Sequence, residues 1–501
     1  MKNNILDVLE STVRQKYTKV AFTDENHEMT YGNLLESAKK IGTHLLDLES
    51  KRKPIAVYME KTVESLAAFF GVVYSGHFYV VIDYEMPIDR IEKIFEILEP
   101  VAVITSKAKE NKIQFHSRIF YYEDMMNTCL DEEKLQKVRN QIIDTDPLYA
   151  LFTSGSTGVP KGAVVSHRSV MNYASWYKET FYITDRTQFG SQTPFYFSMS
   201  VSDVFSTIIS GATLHILPKK LFSFPIKLIE YMNERKVNTI YWVPSALCII
   251  ANLKVLDYVS LPYLENILFA GEVMPTKQLN YWMKHIPNAM YANLFGPTET
   301  TDICTYYIVD REFRDDEVLP IGKACMNCDV FLLDENNKEV LDDREGELCV
   351  RGSFLASGYY NNPEKTKEAF VQNPLNPYYP ELIYRTGDLV KYNDRKELIY
   401  ITRKDFQIKH MGYRIELGEI EAAVSALPDI QSAAVIYDES KDKIVLVYTG
   451  RIDEQAIMEG ISTKIPNYMY PQIIKKFKTM PYNQNGKIDR KYLKANYQGG
   501  K

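Results

Sequence analysis

The sequence predicts an α/β protein with more than one domain, and three observations support this fold class. The chain has 501 residues, more than a single hydrophobic core usually organises. Its composition, with 45% hydrophobic residues, is that of an ordinary globular protein. Along the chain, helical periodicity alternates with short apolar runs that resemble strands, as in α/β folds.

The first clearly patterned elements surround a glycine-rich loop. One face of a predicted helix consists of Ile91, Ile94, Phe95 and Leu98. The run "VAVIT" (101–105) predicts a strand, and "YALFTSG" (149–155) predicts a strand that leads into the loop. The charged stretch 131–146 between them is interpreted as a connector.

A second unit is predicted to begin near residue 405. An apolar helical stripe, which Pro428 would stop, consists of Ile420, Ala423, Val424 and Leu427. Two strands are predicted at 432–438 and 443–450. The sequence therefore indicates an N-terminal domain over 1–404 and a C-terminal domain over 405–501, the latter of common domain size.

Charge excludes one class of partner and leaves another open. The net charge of −6 argues against general nucleic-acid binding, which needs a basic surface. However, residues 464–501 contain nine Lys or Arg residues and one acidic residue, Asp489. This basic end is interpreted either as a solvated face or as a patch that steers an acidic partner.

Cysteine usage and hydropathy indicate a soluble protein of a reducing compartment. Six cysteines in 501 residues form no disulfide framework, and the Cys325–Cys328 pair lacks the second pair of a metal site. The N-terminus does not resemble a signal peptide. No stretch reaches the roughly 18 apolar residues that a membrane span needs. We expect a cytoplasmic protein that does not contact the membrane.

The stretch "TSGSTGVPKG" (153–162) has the composition of a phosphate-binding loop. It is neither a Walker A loop nor a dinucleotide-binding turn, because the glycine and lysine spacings differ. Its glycines permit close approach of a ligand, and its hydroxyls and lysine can bind phosphate. The loop residues are Thr153, Ser154, Gly155, Ser156, Thr157, Gly158 and Lys161. On its own, such a loop is more often a surface turn.

Four further stretches follow this loop in a fixed order. They are "FGPTETT" (295–301), "YRTGDLV" (384–390), "TRKDFQIKHMGYRIELGEIE" (402–421) and "NQNGKIDRK" (483–491). Together with the loop, they resemble the adenylate-forming enzymes. Within that superfamily, the chain is similar to the amino-acid adenylation enzymes of nonribosomal peptide synthesis, and to stand-alone D-alanine–carrier-protein ligases. The similarity extends over nearly the whole chain.

The resemblance implies a fold and an activity. The fold would be a large N-terminal domain of packed α/β subdomains, followed by a small, mobile C-terminal α+β domain. The activity would be ATP-dependent conversion of a small carboxylic acid to an acyl-adenylate, with Mg²⁺ and release of pyrophosphate. The acyl group would then pass to the phosphopantetheine thiol of a separate, acidic carrier protein. The alternative is an acyl-CoA synthetase for an aryl or short-chain acid. A monomer is expected.

The resemblance also implies roles for individual residues. The loop at 153–161 would hold the β- and γ-phosphates, Thr298 the α-phosphate, and Glu299 the Mg²⁺. Lys487 would be the catalytic lysine, brought in by the C-terminal domain, and Asp405 the hinge between two domain orientations. The remaining residues assigned to the nucleotide are Gly271, Asn293, Phe295, Gly296, Asp388 and Arg403. Of these, Asn293 and Phe295 would bracket the adenine, and Asp388 would accept hydrogen bonds from the ribose.

The acid pocket departs from the resemblance at two positions. Ser198 stands where the family usually has an Asp that pairs with the substrate α-ammonium, and Ala270 stands where the D-alanine enzymes have Cys. A buried ammonium without an anionic partner is costly, so α-amino acids become less favoured substrates. The other residues expected to line the pocket are Met199, Ser202, Trp242, Leu268, Leu294, Asp302 and Ile303.

Asp302 is the exception among these mostly apolar residues, and its role is left open. It could bind an amine placed further from the reacting carboxylate, as in a β- or ω-amino acid. Alternatively, the substrate is a neutral acid to which Ser198 donates a hydrogen bond, and Asp302 has no ligand. A third alternative is that Asp203 replaces the missing anion.

Overall fold

The computed structural model describes residues 4–48, 50–108, 115–155, 159–315, 317–404, 407–482 and 488–498. The chain divides into two compact units. The larger unit comprises Met1–Tyr84, Leu98–Leu151 and Gly162–Thr402. The smaller unit comprises Glu85–Ile97, Phe152–Lys161 and Arg403–Lys501. Two short segments of earlier sequence therefore belong with the C-terminal part of the chain.

Helices occur in both units. The α-helices are α1 (Ile5–Lys16), α2 (Tyr31–His44), α3 (Val63–Tyr74), α4 (Ile88–Leu98), α5 (Tyr122–Met125), α6 (Glu132–Arg139), α7 (His167–Thr180), α8 (Met199–Ser210), α9 (Pro225–Glu234), α10 (Pro244–Asn252), α11 (Thr276–His285), α12 (Pro363–Ala369), α13 (Leu417–Ser425), α14 (Glu454–Ser462) and α15 (Arg490–Asn496). Short 3₁₀ helices span Leu45–Asp47, Lys219–Ser223, Val255–Asp257, Thr298–Thr300 and Asn467–Met469.

The strands alternate with these helices along most of the chain. They are β1 (Val20–Thr23), β2 (Glu28–Thr30), β3 (Pro54–Val57), β4 (Phe78–Val81), β5 (Ala102–Thr105), β6 (Arg118–Tyr121), β7 (Pro147–Thr153), β8 (Lys161–Ser166), β9 (Gln188–Ser191), β10 (Thr213–Ile216), β11 (Thr239–Trp242), β12 (Asn266–Ala270), β13 (Met290–Phe295), β14 (Thr305–Ile308), β15 (Lys323–Ala324), β16 (Cys328–Leu333), β17 (Gly346–Gly352), β18 (Gly358–Tyr359), β19 (Phe370–Gln372), β20 (Leu382–Tyr392), β21 (Leu398–Arg403), β22 (Gln407–His410), β23 (Tyr413–Glu416), β24 (Ile430–Asp438), β25 (Lys443–Gly450) and β26 (Ile473–Lys476).

The larger unit is built mainly on three sheets. A nine-stranded sheet has the order β15-β14-β13-β12-β11-β9-β10-β1-β2, and its strands from β13 to β1 pair in parallel. A seven-stranded sheet has the order β18-β8-β7-β4-β3-β5-β6. A five-stranded sheet has the order β16-β17-β20-β19, with β21 paired to β20. Ligands of open parallel sheets bind beyond the carboxyl ends of the strands. We therefore expect a ligand site beyond the ends of β11, β12 and β13.

The fold class predicted from the sequence is confirmed, since the chain is mixed α/β with several sheets. The apolar face predicted at α4 is confirmed at three of its four residues: Ile91, Ile94 and Leu98 are buried, whereas Phe95 is half-buried. By contrast, the charged connector at 131–146 contains α6. Its charges favour a helix, because Asp131 caps the N-terminus, acidic residues occupy the first turn and basic residues occupy the last turn.

The smaller unit has its own core and its own sheets. The predicted stripe on α13 is buried together with one face of β24 and β25. Those two strands are antiparallel, and β26 extends them in parallel, while β22 and β23 form a hairpin. Within this unit, the buried side chain of Arg90 on α4 forms an ion pair with Glu419 on α13. This ion pair links the segment 85–97 to the C-terminal sequence.

Candidate functional site

The turn that follows β13 carries a buried carboxylate. Glu299 is fully buried in the 3₁₀ helix Thr298–Thr300. The hydroxyl of Tyr359, on β18, donates a hydrogen bond of 2.6 Å to Glu299 Oε1. Carboxylate oxygens are preferred ligands of Mg²⁺, so the side chain at this position has the chemistry that a magnesium site requires.

The backbone leaves this turn in a strained conformation. Thr301 has φ 69° and ψ −56°, and the N–H of Asp302 donates to the carbonyl of Thr300 at 2.8 Å. Together these describe a γ-turn with a positive central φ, which is rare and costs about 1–3 kcal/mol for a β-branched residue. The Thr301 hydroxyl donates to the Phe354 carbonyl at 2.8 Å and holds the turn. As a result, Glu299 and Asp302 meet different sets of partners.

Asp302 is buried among hydroxyl groups. Its exposed fraction is 1%, and its Oδ2 accepts hydrogen bonds from Tyr173 at 3.0 Å, Ser202 at 2.9 Å and Tyr241 at 3.1 Å. Burial raises the pKa of Asp302, while hydrogen bonds from Ser202, Ser198 and the two tyrosines lower it. We call these five residues, Asp302, Ser198, Ser202, Tyr173 and Tyr241, the hydroxyl cluster.

The strand register determines which predicted pocket residues share a face with the hydroxyl cluster. Tyr241 on β11 pairs with Leu268 on β12, and Ala270 on β12 pairs with Leu294 on β13. Residues two apart on a strand share a face, so these four lie on the same side of the sheet. Trp242 lies on the opposite side, where its indole N–H donates to the Gly190 carbonyl at 2.8 Å. The structure therefore does not bring Trp242 to the cluster.

The remaining predicted pocket residues are also inside the larger unit. Ser198 immediately precedes α8, and Met199 begins the helix. Met199 is 7% exposed and Ile303, next to Asp302, is 1% exposed. A pocket formed by these side chains would be apolar except at the hydroxyl cluster.

The opposite side of the sheet carries residues predicted to bind the nucleotide. Asn293 and Phe295 share one face of β13, and Asn293 Nδ2 donates to the Pro320 carbonyl at 2.8 Å. The Phe295 ring lies 5.7 Å from that of Tyr400, centroid to centroid. The two faces of β13 thus separate the residues predicted for the adenine from those predicted for the acid.

The local structure accounts for three other residues that are predicted to bind the nucleotide. Gly271 follows β12 with φ 91°, a conformation that favours glycine. A Cβ at Gly296 would lie 2.5 Å from the carbonyl oxygen of Asp302, so only glycine fits there. Asp388, on β20, is 1% exposed, and its N–H donates to Thr386 Oγ1 at 3.0 Å.

The described part of the phosphate loop lies in the smaller unit. Ser154 Oγ donates to the Arg414 carbonyl at 2.8 Å, and a Cβ at Gly155 would lie 2.0 Å from the Val159 carbonyl oxygen. Thr153 Oγ1 is buried and has no hydrogen-bond partner among the described residues. A buried hydroxyl of this kind fits a loop that binds an oxyanion.

Two basic residues predicted to bind the nucleotide, Lys161 and Arg403, also lie in the smaller unit. Lys161 is the first residue of β8, and Arg403 is the last residue of β21. The predicted residues Ser156, Thr157, Gly158, Asp405 and Lys487 lie outside the described residues.

Another buried carboxylate lies on α8. Asp203 is 1% exposed and follows Ser202 directly. Burial raises the pKa of Asp203 to about 8, and the charge of Lys61 opposes that rise. Lys61 is half-buried, donates to the Ser191 carbonyl at 3.0 Å and lies over the Phe195 ring. Burial lowers the pKa of the Lys61 ammonium to about 7.

Sequence reasoning missed several of these side chains. Tyr173 and Tyr241 were not predicted as site residues, although both donate to Asp302. Tyr359 and Lys61 were also missed. The stretches "NYASW", "SGYY" and "MEKTV", which contain Tyr173, Tyr359 and Lys61, carry no local signal, because each of these residues acquires its partner through tertiary contact. A signal was present for Tyr241, which neighbours the predicted Trp242.

Comparisons with known proteins identify relatives over most of the chain. The family model of AMP-binding enzymes matches residues 9–360. Tyrocidine synthase 1 of Brevibacillus parabrevis is 31% identical over 95% of this chain, and the match spans 43% of that larger relative. The D-alanine–D-alanyl carrier protein ligase of Lacticaseibacillus casei (strain BL23) is 28% identical over 99% of both chains.

A solved structure shares the fold. Holo-PA1221, a protein with adenylation and PCP domains, superposes with a TM-score of 0.86 at 22% identity, over 98% of this chain and 84% of its own. In the described part of the chain, no helix combines the length and the apolar character needed to cross a membrane.

Proposed function

Because the chain belongs to the AMP-binding enzymes, we propose that it activates a small carboxylic acid with ATP and transfers the product to a carrier protein. The acid carboxylate attacks the α-phosphorus, a P–O bond to pyrophosphate breaks, and an acyl-adenylate forms. The phosphopantetheine thiol of a separate carrier then attacks the acyl carbon and releases AMP. The single observation that carries this proposal is the end-to-end similarity to a carrier protein ligase.

Glu299 is proposed to hold Mg²⁺, and Thr298 to bind the α-phosphate. Mg²⁺ would neutralise negative charge on the phosphate oxygens. What supports this role is a fully buried carboxylate whose orientation is fixed by the Tyr359 hydroxyl. Preorganised groups of this kind stabilise developing charge without having to rearrange during the reaction.

The adenosine of ATP is proposed to bind beyond the other face of β13. Asn293 and Phe295 would bracket the adenine, and Gly271 and Gly296 would allow close approach of the nucleotide. Asp388 would accept hydrogen bonds from both ribose hydroxyls, because an ionised carboxylate has acceptor sites for two donors. Arg403 would contact the ribose and phosphate.

The phosphate loop, the hinge and the catalytic lysine complete the proposal. The loop at 153–161 would bind the β- and γ-phosphates through backbone N–H groups, hydroxyls and Lys161. Lys487 would bridge the carboxylate and phosphate oxygens while the bond forms. The proposed domains are 1–404 and 405–501, with Asp405 as the hinge that brings Lys487 in for adenylation and removes it for thiol transfer.

The proposed acceptor is a carrier protein rather than free coenzyme A. The basic sequence at 464–501 would favour an acidic carrier through charge complementarity. We propose a monomeric enzyme that meets its carrier as a separate protein in the cytoplasm.

The proposal is tested by loading assays with ATP, Mg²⁺ and a panel of acids. AMP formation that depends on the acid, followed by acylation of a holo-carrier, is the expected result. The variant Glu299→Gln should lose most activity in the first half-reaction, since an amide is a poor Mg²⁺ ligand. Efficient acylation of coenzyme A without any carrier would overturn the assignment of the acceptor.

A further inference from the structure

We propose that Asp302 is the counter-ion of a substrate ammonium, and that the acid therefore carries an amine at its β- or γ-carbon. This inference rests on the proposed function. It concerns the substrate class, which neither the family nor the relatives define for this chain.

The hydroxyl cluster provides an anion without a cation of the protein. In the ranges that the structure describes, Asp302 has no ion-pair partner, and its hydrogen bonds come from neutral hydroxyls. An uncompensated buried carboxylate is destabilising by several kcal/mol. A bound ammonium would provide the missing charge, while the hydroxyls hold the carboxylate in place for it.

The buried carboxyl of Asp203 lacks the donors that Asp302 has. In the described part of the chain, both of its oxygens are buried without a hydrogen-bond partner, and burial raises its pKa to about 8. Hydrogen bonds to the ionised form favour that form, so Asp302, with three hydroxyl donors, is the better anion for an ammonium. This contrast argues against the alternative in which Asp203 replaces the missing anion at Ser198.

The position of Asp302 specifies where the amine must be. Ser202, which donates to Asp302 at 2.9 Å, lies on α8 one helical turn after Ser198. An ammonium bound at Asp302 is thus displaced along that turn, by up to about 5 Å, relative to one bound by an acid at position 198. Such a displacement requires additional carbon–carbon bonds between the carboxylate and the amine, as in a β- or γ-amino acid.

A second buried group near the cluster is suited to an amine. The hydroxyl of Tyr177, one turn after Tyr173 on α7, is buried and has no hydrogen-bond partner in the described part of the chain. Its ring centroid lies 6.3 Å from that of Tyr173 and 6.0 Å from that of Tyr241, both members of the hydroxyl cluster. An ammonium has three donors, and the Tyr177 oxygen can accept one that Asp302 does not use.

The experiment compares acids that differ only by an ammonium or a methyl group. The matched pairs are β-alanine with butanoate, 4-aminobutanoate with pentanoate, and D- or L-alanine with 2-methylpropanoate. For each acid, kcat/KM is measured by ATP–pyrophosphate exchange with wild-type enzyme and Asp302→Asn. The expected result is a preference of about 100-fold for the ammonium in the first or second pair. In Asp302→Asn the preference within the same pair should fall to about threefold or less.

A gain-of-function variant at position 198 distinguishes recognition of the ammonium from a merely structural role of Asp302. Ser198→Asp restores the acid expected of the family, and it should shift the preference toward D- or L-alanine. Wild-type preference for neutral acids, or an ammonium preference that survives Asp302→Asn, would overturn the inference and leave the proposed function intact.

Binding of non-reactive analogues distinguishes the role of Asp302 from the proposed function. N-Acylsulfamoyl-adenosines made from the same matched acids, titrated calorimetrically, should bind with the same ammonium preference. Equal binding of both members of each pair would contradict the role of Asp302 but would leave the proposed function intact. Failure of every analogue to bind, together with no exchange for any acid, would overturn the proposed function and the inference together.

Discussion

Two buried carboxylates of the larger unit, Asp203 and Asp302, have different surroundings. Asp302 accepts hydrogen bonds from three hydroxyls, including that of Ser202, the residue before Asp203. In the described part of the chain, neither oxygen of Asp203 has a hydrogen-bond partner, and the charge of Lys61 opposes the rise of its pKa. Both carboxylates are 1% exposed, and burial raises the pKa of both. The donors, rather than the burial, distinguish them, and an acid whose ionised form is held by neutral donors remains available to a ligand.

The largest expected effect comes from removing the charge that acts on Asp203. Lys61→Met takes away the positive charge that opposes the raised pKa of that carboxyl, and leaving a buried acid without a compensating charge costs up to about 3–5 kcal/mol of unfolding free energy. Urea denaturation measures the loss. The double variant Lys61→Met/Asp203→Asn should recover most of it, because no unpaired charge remains. If Lys61→Met alone left stability unchanged, Asp203 would not be compensated by Lys61.

The stability loss of Lys61→Met should also depend on pH. Without the lysine, the folded-state pKa of Asp203 rises further above its ordinary value of 3.8. A carboxyl whose pKa is raised by folding favours the folded state less as pH increases through that window. In the folded wild-type protein the pKa values of Asp203 and Lys61 are about 8 and about 7, so the deficit should be nearly constant below pH 7 and grow as pH rises above it. A deficit that is constant with pH would show that lost packing, and not charge, is responsible.

The next largest effect is expected on the pH dependence of kcat/KM for an amine-bearing acid, which Asp302 should control. Because burial raises the pKa of this carboxyl, it protonates at a higher pH than an exposed aspartate. Binding of an ammonium needs the ionised form, so kcat/KM for the amine-bearing acid should fall as pH is lowered through the Asp302 pKa. The matched neutral acid supplies the control and should not show this decrease. A decrease of the same size for both acids would assign it to another group.

The smallest effect is expected from removing one donor of the hydroxyl cluster. Tyr241→Phe deletes a hydrogen bond to the ionised form of Asp302, which should raise the pKa of that carboxyl further. The acidic limb of the kcat/KM profile should shift to higher pH accordingly. Tyr31→Phe is a matched control, because its buried hydroxyl donates to the Thr207 and Ala212 carbonyls, remote from Asp302 in the hydrogen-bond network. Equal shifts in both variants would contradict the assignment.

The sequence predicts residues that belong to one motif better than residues that only tertiary packing brings together. Glu299 and Asp302 were identified because they belong to one short motif after a strand, and the mixed α/β class followed from alternating periodicity. Tyr173 and Lys61 come from segments remote from that motif, and only tertiary packing brings them to their partners. Trp242 illustrates a different limit, because a one-residue difference on a strand exchanges the two faces of the sheet. Tyr241, its neighbour, has the contact instead.

The central claim is that the protein leaves one buried charge for its substrate to neutralise. Its most direct test is the ratio of kcat/KM values for β-alanine and butanoate, and for 4-aminobutanoate and pentanoate, in wild-type enzyme and Asp302→Asn. A ratio near 100 in one pair, which falls to about threefold or less in the variant, is the predicted result. A ratio that is the same in both proteins, or that favours the neutral acids in wild-type enzyme, would contradict the claim.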